Sequence, residues 1–261
     1  MAAVTLDLWH TLMFLRPEAE EEYMRSQVEF ATEVLRDGPR RPGAPDRSDS
    51  ELARVFERVY AEAVAEAGRG RTITPAQQLS RAADATGRDA RPEEYLGRLA
   101  AIVPRLPFER APGALELLRS LAHDGYGLGV ISNTIGEPGQ MLRPVLRSMG
   151  FDEYVSAYVF SDEHPWTKPA PEIFGEALAR LHGVPGRAVH VGDGWSDIEG
   201  ARRAGLRAGI LFTGLQNYGA RYKQLFLPDG WDRPATDHVA ARLEDVGRIV
   251  REVLPPDAPA P

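Results

Sequence analysis

PGALELLRSLAHDGYGLGVISNT, residues 112–134, reads as a helix over 113–123 that feeds a short strand, GLGVIS, over 127–132. The alternation then continues toward the C-terminus. Helices are expected at 138–148, 171–182 and 196–204, and strands at YVSAYVF (154–160), AVHVG (188–192) and AGILF (208–212). Strands that alternate with helices, several of them apolar throughout, specify a parallel sheet buried on both faces.

Working outward, VTLDLWHTL (4–12) adds a strand over residues 3–7 that closes on Asp7. From about Pro17 to Ile102 the period changes. Residues 18–35, 51–66, 75–86 and 92–102 each carry apolar side chains at three- and four-residue spacing, and the polar, Pro- and Gly-rich stretch 37–50 joins the first two helices. The expected fold is α/β: a doubly wound, mostly parallel, Rossmann-like sheet built from residues 1–15 and 109–261, interrupted by a helical insertion over 16–108. Beyond the last long strand, 213–235 reads as an aromatic-bearing loop, 236–240 as a short strand, 242–253 as a closing helix and PPDAPAP as a frayed tail.

Composition narrows the function classes. The chain of 261 residues is 43% hydrophobic, enough for a large core, and it has no cysteine, so disulfides, thiolate-bound zinc and thiol nucleophiles are excluded. A net charge of −7 argues against a partner bound through a phosphate backbone, so nucleic acid is not expected. The longest apolar runs are too short to span a bilayer, and the N-terminus opens directly on a strand pattern. A soluble, cytoplasmic monomer or homodimer is the expectation. Of 31 basic residues only Lys168 and Lys223 are lysines, which singles out any lysine near a site.

In open α/β sheets ligands bind beyond the carboxyl ends of the strands. Asp7 closes the first strand, Ser132 and Asn133 close GLGVIS, Lys168 lies in WTKPAPEIF (166–174), and Asp193 and Asp197 follow AVHVG in GDGWSD (192–197). Each group has a structural reading of its own. Ser132 and Asn133 can cap or turn, and Asp197 can complement a helix dipole. Three carboxylates, a lysine and a hydroxyl-amide pair at one rim would nevertheless repel and desolvate one another unless a cation and an anion completed them. The set suits phosphoryl transfer. Mg2+ takes oxygen ligands, here Asp7, Asp193, the backbone carbonyl of Trp9 and, further out, Asp197. Asp7 can attack phosphorus, while Ser132, the amide of Asn133 and Lys168 hold the phosphoryl oxygens.

The order DLWHTL, ISNT, KPAPEIF and GDGWSD resembles the four-motif signature of the haloacid dehalogenase superfamily, over about two thirds of the chain. The helical stretch 17–108 resembles the subclass I insertion that lids the substrate. The resemblance implies a Mg2+-dependent hydrolase, most similar to phosphomonoesterases that pass through an aspartyl-phosphate, acting on a small phosphorylated metabolite.

One motif departs from the pattern. Phosphatases of this superfamily carry a second Asp two residues after the nucleophile, as the acid for the leaving oxygen; this chain has Trp9 there, and His10 where a glycine is usual. Dehalogenase-like members also have an aromatic residue at that place, but their fourth motif lacks the acid pair that GDGWSD retains. A proton carrier is then needed, and His10 is the local candidate because an imidazole titrates near neutrality; an acid of the insertion, Glu20, Glu21 or Glu22, is the alternative. Trp9 is read either as a wall of the substrate pocket or as core packing. Carbon–halogen displacement by Asp7 and a non-catalytic binding or regulatory role are the rival functions.

Overall fold

The computed structural model describes residues 1–215, 236 and 238–256. The expected loop beyond residue 215 and the last five residues of the tail lie outside the described residues.

Strand β1 (Ala3–Leu6) is central and entirely buried, as its AVTL sequence requires. It pairs in parallel with β4 (Gly127–Ser132) on one side and β6 (Ala188–Gly192) on the other. Outward from these lie β5 (Ala157–Phe160) beyond β4, and β7 (Ala208–Phe212) then β8 (Val239–Ala240) beyond β6, giving the order β5-β4-β1-β6-β7-β8 with every pair parallel. Alternate strand residues serve opposite faces. Val4, Leu6, Leu128, Val130, Val189 and Val191 join the larger hydrophobic cluster, which also takes in α5 (Ala114–His123), α6 (Gly139–Ser148) and the closing helix α9 (Leu243–Val253). Ile131 and Val159 pack against α7 (Pro171–Arg180) and α8 (Trp195–Arg203) on the other face. The strand expected over 154–160 is shorter than its apolar run, because residues 151–153 form a helical turn that captures the amides of Tyr154 and Val155.

Four helices fill the stretch between the first strand and the rest of the sheet: α1 (Pro17–Asp37), α2 (Asp49–Gly68), α3 (Pro75–Thr86) and α4 (Pro92–Ile102). Their starts follow local rules. Proline occupies the first turn of α1, α3 and α4, and the Ser48/Glu51 and Thr74/Gln77 capping boxes open α2 and α3. A two-stranded ribbon, β2 (Met13–Phe14) against β3 (Glu109–Arg110), closes the neck where the chain leaves and re-enters the sheet. Two residues per strand are too few for a period to register, and the sequence offered no signal for it. Leu35, Phe56, Leu79 and Tyr95 of these helices belong to the same cluster as Leu6 and Val130 of the sheet, so the insertion is packed continuously onto the sheet. No helix among the described residues is long and apolar enough to cross a membrane.

Candidate active site

Because the strands are parallel, their carboxyl ends share one edge, and the four stretches singled out in the sequence converge there. Asp7 follows β1 directly and its amide donates to Val191 O of β6 (2.8 Å), which holds it beside the start of GDGWSD. Lys168 is fully buried, and its ammonium reaches the Asp7 carboxylate and Asp197 Oδ1 (2.7 Å). The carboxylates of Asp7, Asp193 and Asp197 each offer an oxygen, all within 4.8 Å of one another. This oxygen-only donor set, carrying three formal negative charges against one lysine, fits a hard divalent cation.

The side chains divide their work in ways that spacing could not resolve. Asp197 uses both oxygens internally: Oδ1 takes Lys168 and lies 3.1 Å from His190 Nε2, and Oδ2 accepts from the Gly194 amide (3.0 Å). His190 is held in turn by Thr5 Oγ1 (2.9 Å from Nδ1) and by the edge of Phe174. The Asn133 carboxamide clamps the main chain of Lys168, accepting from its N–H (2.9 Å) and donating to its C=O (3.0 Å), so only the backbone amide of residue 133 is left for an anion. The peptide that follows, Lys168–Pro169, is cis. Ser132 Oγ is fully buried and has no hydrogen-bond partner, an unmet polar atom at the strand end where an anion would be received.

Burial and charge set the protonation pattern. Burial pushes the Asp7 carboxyl up to about 8, against the pull of Lys168, with Asp197 and Asp193 adding to the rise. Burial also works against the Lys168 ammonium, but Asp197 and Asp7 outweigh it and hold its pKa above the usual lysine value. For Asp197, burial is overcome by Lys168 and His190, which keep it well below the usual carboxylate range. Burial lowers His190, which therefore stands neutral beside it. A cation beside Asp7 would reverse the rise and favour the carboxylate form.

At the place of the missing acid, Trp9 packs edge-on against Phe108 (5.6 Å) at the border of the hydrophobic cluster. The His10 ring lies 6.2 Å from that of Trp9, centroid to centroid. Its backbone is left-handed (φ 56°), its ring is buried, and it stands between core and insertion, with Nδ1 4.0 Å from Asp193 Oδ2 and Nε2 3.9 Å from Glu20 Oε1 of α1. Of the three insertion acids considered, the structure brings Glu20 to the site. Trp166 is stacked on His164 at the surface, and Trp195 lies under the Arg203 guanidinium. His190 was missed; a lone histidine within the apolar run AVHVG was the available signal.

Sheet, insertion and acid-lysine rim define an α/β protein with a buried carboxylate at the end of its central strand. Residues 1–205 match the model for haloacid dehalogenase-like hydrolases, and the chain belongs to that family. Among curated relatives it is 36% identical over 100 residues to human haloacid dehalogenase-like hydrolase domain-containing protein 3, covering 38% of each chain. It is 39% identical over 100 residues to the glyceraldehyde 3-phosphate phosphatase of Methanothermobacter thermautotrophicus (37% of this chain, 42% of the relative), and 32% identical over 108 residues to the phosphoglycolate phosphatase of Salmonella choleraesuis (41% of each). The matches thus span about two fifths of the length of these relatives. Among solved structures, the HAD phosphatase of Thermococcus onnurineus superposes with a TM-score of 0.60 at 24% identity (96% of this chain, 98% of that one). CbbY of Rhodobacter sphaeroides, solved with phosphate, does so with 0.60 at 20% (95% and 96%). A dehalogenase aligns with 0.55 at 18% (95% and 96%), so both chemistries occur on this fold.

Proposed function

We propose that the protein is a Mg2+-dependent phosphomonoesterase in which Asp7 is the nucleophile. The observation that carries the reading is the pairing of Asp7 with the buried Lys168 inside a group of three carboxylates, at the same sheet edge as the unmet hydroxyl of Ser132. Asp7, Asp193 and the Trp9 carbonyl would hold the cation, with Asp197 behind them orienting Lys168. When bound, Mg2+ neutralises charge on the phosphoryl oxygens and favours the ionised form of Asp7. Lys168, Ser132 Oγ and the Asn133 amide receive the same oxygens from the protein side.

A carboxylate oxygen of Asp7 forms a bond to phosphorus as the ester P–O bond breaks, and the leaving oxygen takes a proton from His10. Water, losing its proton to His10, then attacks phosphorus, releasing inorganic phosphate and restoring the Asp7 carboxylate. Glu20 Oε1 and Asp193 Oδ2 lie 3.9 and 4.0 Å from the two imidazole nitrogens, on either side of the ring. The helical insertion over 16–108 acts as the lid that brings Glu20 over the core formed by 1–15 and 109–261.

The test is phosphate release from a phosphomonoester panel with Mg2+ and with EDTA. Wild type should release phosphate only with Mg2+, and Asp7→Asn should lose at least about a thousandfold in rate while remaining folded. Unchanged turnover in Asp7→Asn would exclude the nucleophile. The aromatic side chain at position 9 favours one second reading, displacement at carbon, which predicts halide release from haloacids that persists in EDTA.

A further inference from the structure

Thr5 and His190 are register partners on the neighbouring strands β1 and β6, so their side chains leave the sheet on the same face. Thr5 Oγ1 lies 2.9 Å from His190 Nδ1 and 3.3 Å from Val189 O, which makes the ring nitrogen its nearer partner. On its other side the ring meets Asp197. His190 Nε2 is 3.1 Å from Asp197 Oδ1, the same oxygen that takes the Lys168 ammonium at 2.7 Å, and Lys168 in turn reaches Asp7. All five side chains, from Thr5 through His190, Asp197 and Lys168 to Asp7, are buried.

The surroundings are shaped to hold this series. Phe174 presents its edge to the imidazole at 5.0 Å, and a Cβ on Gly200 would sit 2.4 Å from the Phe174 ring, so the missing side chain at 200 gives the phenyl its place. A Cβ on Gly192 would sit 2.2 Å from Asp197 Cγ, so the end of β6 is likewise kept open for the carboxylate. The preceding pair on the same face, Ala3 and Ala188, is apolar and packs with Leu178 and Leu181. The sheet therefore does not need a polar pair at Thr5 and His190 for its own packing.

The hydrogen-bond roles are determined. An ionised carboxylate only accepts, so the bond to Asp197 requires the proton on Nε2, and Nδ1 of the neutral ring accepts from the Thr5 hydroxyl. With His190 on one side and the Gly194 amide on the other, the Asp197 carboxylate has a fixed direction in which to meet Lys168. Resting on the phosphatase reading, we propose that His190 is a positioning residue for the reaction: secured by Thr5, it orients Asp197 so that the Lys168 ammonium is aimed at Asp7 and the incoming phosphoryl oxygens.

The experiment measures phosphate release from p-nitrophenyl phosphate by the full-length protein with Mg2+, together with proton–nitrogen NMR spectra of the histidine rings. His190→Leu should lose about tenfold or more, chiefly in kcat, and His190→Gln, whose amide can donate where Nε2 does, should recover most of that loss. Thr5→Val removes the donor to Nδ1 and should lower kcat about three- to tenfold, with rescue by Thr5→Ser, which keeps the hydroxyl. A role in packing alone would make the losses follow Tm instead, with Thr5→Val no worse than Thr5→Ser. In wild type the ring signals lost in His190→Gln should report the Nε2–H tautomer, and Thr5→Val should shift the Nδ1 resonance. The Nδ1–H tautomer in wild type, His190→Leu with wild-type kcat, or Thr5→Val equal to Thr5→Ser would overturn the positioning role alone. A wild type that releases no phosphate would overturn the phosphatase reading and this role with it.

Discussion

His10 occupies a left-handed backbone position, φ 56°, that glycine adopts without strain and a side-chain-bearing residue adopts at a cost of about 1–2 kcal/mol. A buried imidazole kept there, between Asp193 and Glu20, fits a side chain retained for what it does. The two effects separate by substitution. His10→Gly should be more stable than His10→Ala by about 1 kcal/mol, read as the difference in their unfolding midpoints. Both should lose the same large fraction of turnover, measured as phosphate release. If the rate survives in His10→Gly, the imidazole only shapes the turn. Asp197 gives the same lesson for a carboxylate. Its place in GDGWSD suggested a metal ligand further out, and in the fold its oxygens also meet the Lys168 ammonium, the Gly194 amide and His190 Nε2, contacts that spacing does not encode.

Among the elements, the junction between insertion and core is a short stretch of backbone pairing. Thr72 donates to Pro165 O (3.2 Å) and Thr167 donates to Gly70 O (3.2 Å), so the turn between α2 and α3 sits against the segment that leads into Lys168. Gly70 makes this possible: it has φ +80°, and a Cβ there would lie 2.9 Å from the Ala170 side chain. Gly70→Ala should therefore lower Tm by roughly 3–6 °C, through the left-handed backbone and the crowding at Ala170. It should also raise KM more than it lowers kcat, because it loosens the contact between insertion and core while leaving Asp7 and Lys168 in place. A Gly70→Ala enzyme with wild-type Tm and KM would show that this contact does not hold the insertion. The helices themselves were legible, since proline starts, capping boxes and apolar periods are local signals. The β2–β3 neck and the docking of residues 70–72 on 165–167 were not, because both pair segments about a hundred residues apart.

Across the whole molecule, the titration of Glu137 couples the interior to stability. Burial, with Glu20 and Asp162 adding to it, raises its pKa to about 8, well above the ordinary glutamate range. Between the ordinary value and that one, the native state keeps a proton that the unfolded chain releases, so this residue's contribution to stability is present at low pH and is lost as pH rises through about 8. Glu137→Gln should remove the loss: its Tm advantage over wild type should be small near pH 5 and grow by several degrees by pH 8. A constant offset between the two curves would mean that Glu137 is ionised throughout. The chain by itself determined the parallel sheet, the helical insertion and the membership of Asp7, Lys168, Asp193 and Asp197 in one rim, because strand and helix periods are local and parallel strands bring their carboxyl ends together. Only the tertiary structure decided that Asp197 serves Lys168, that Asn133 clamps its backbone, that Glu20 is the insertion acid beside His10, and that Thr5 and His190 stand behind Asp197. Those are questions of which side chains meet and which are left without partners. Burial and pairing arise when segments remote in sequence are packed together, and no local period carries that information.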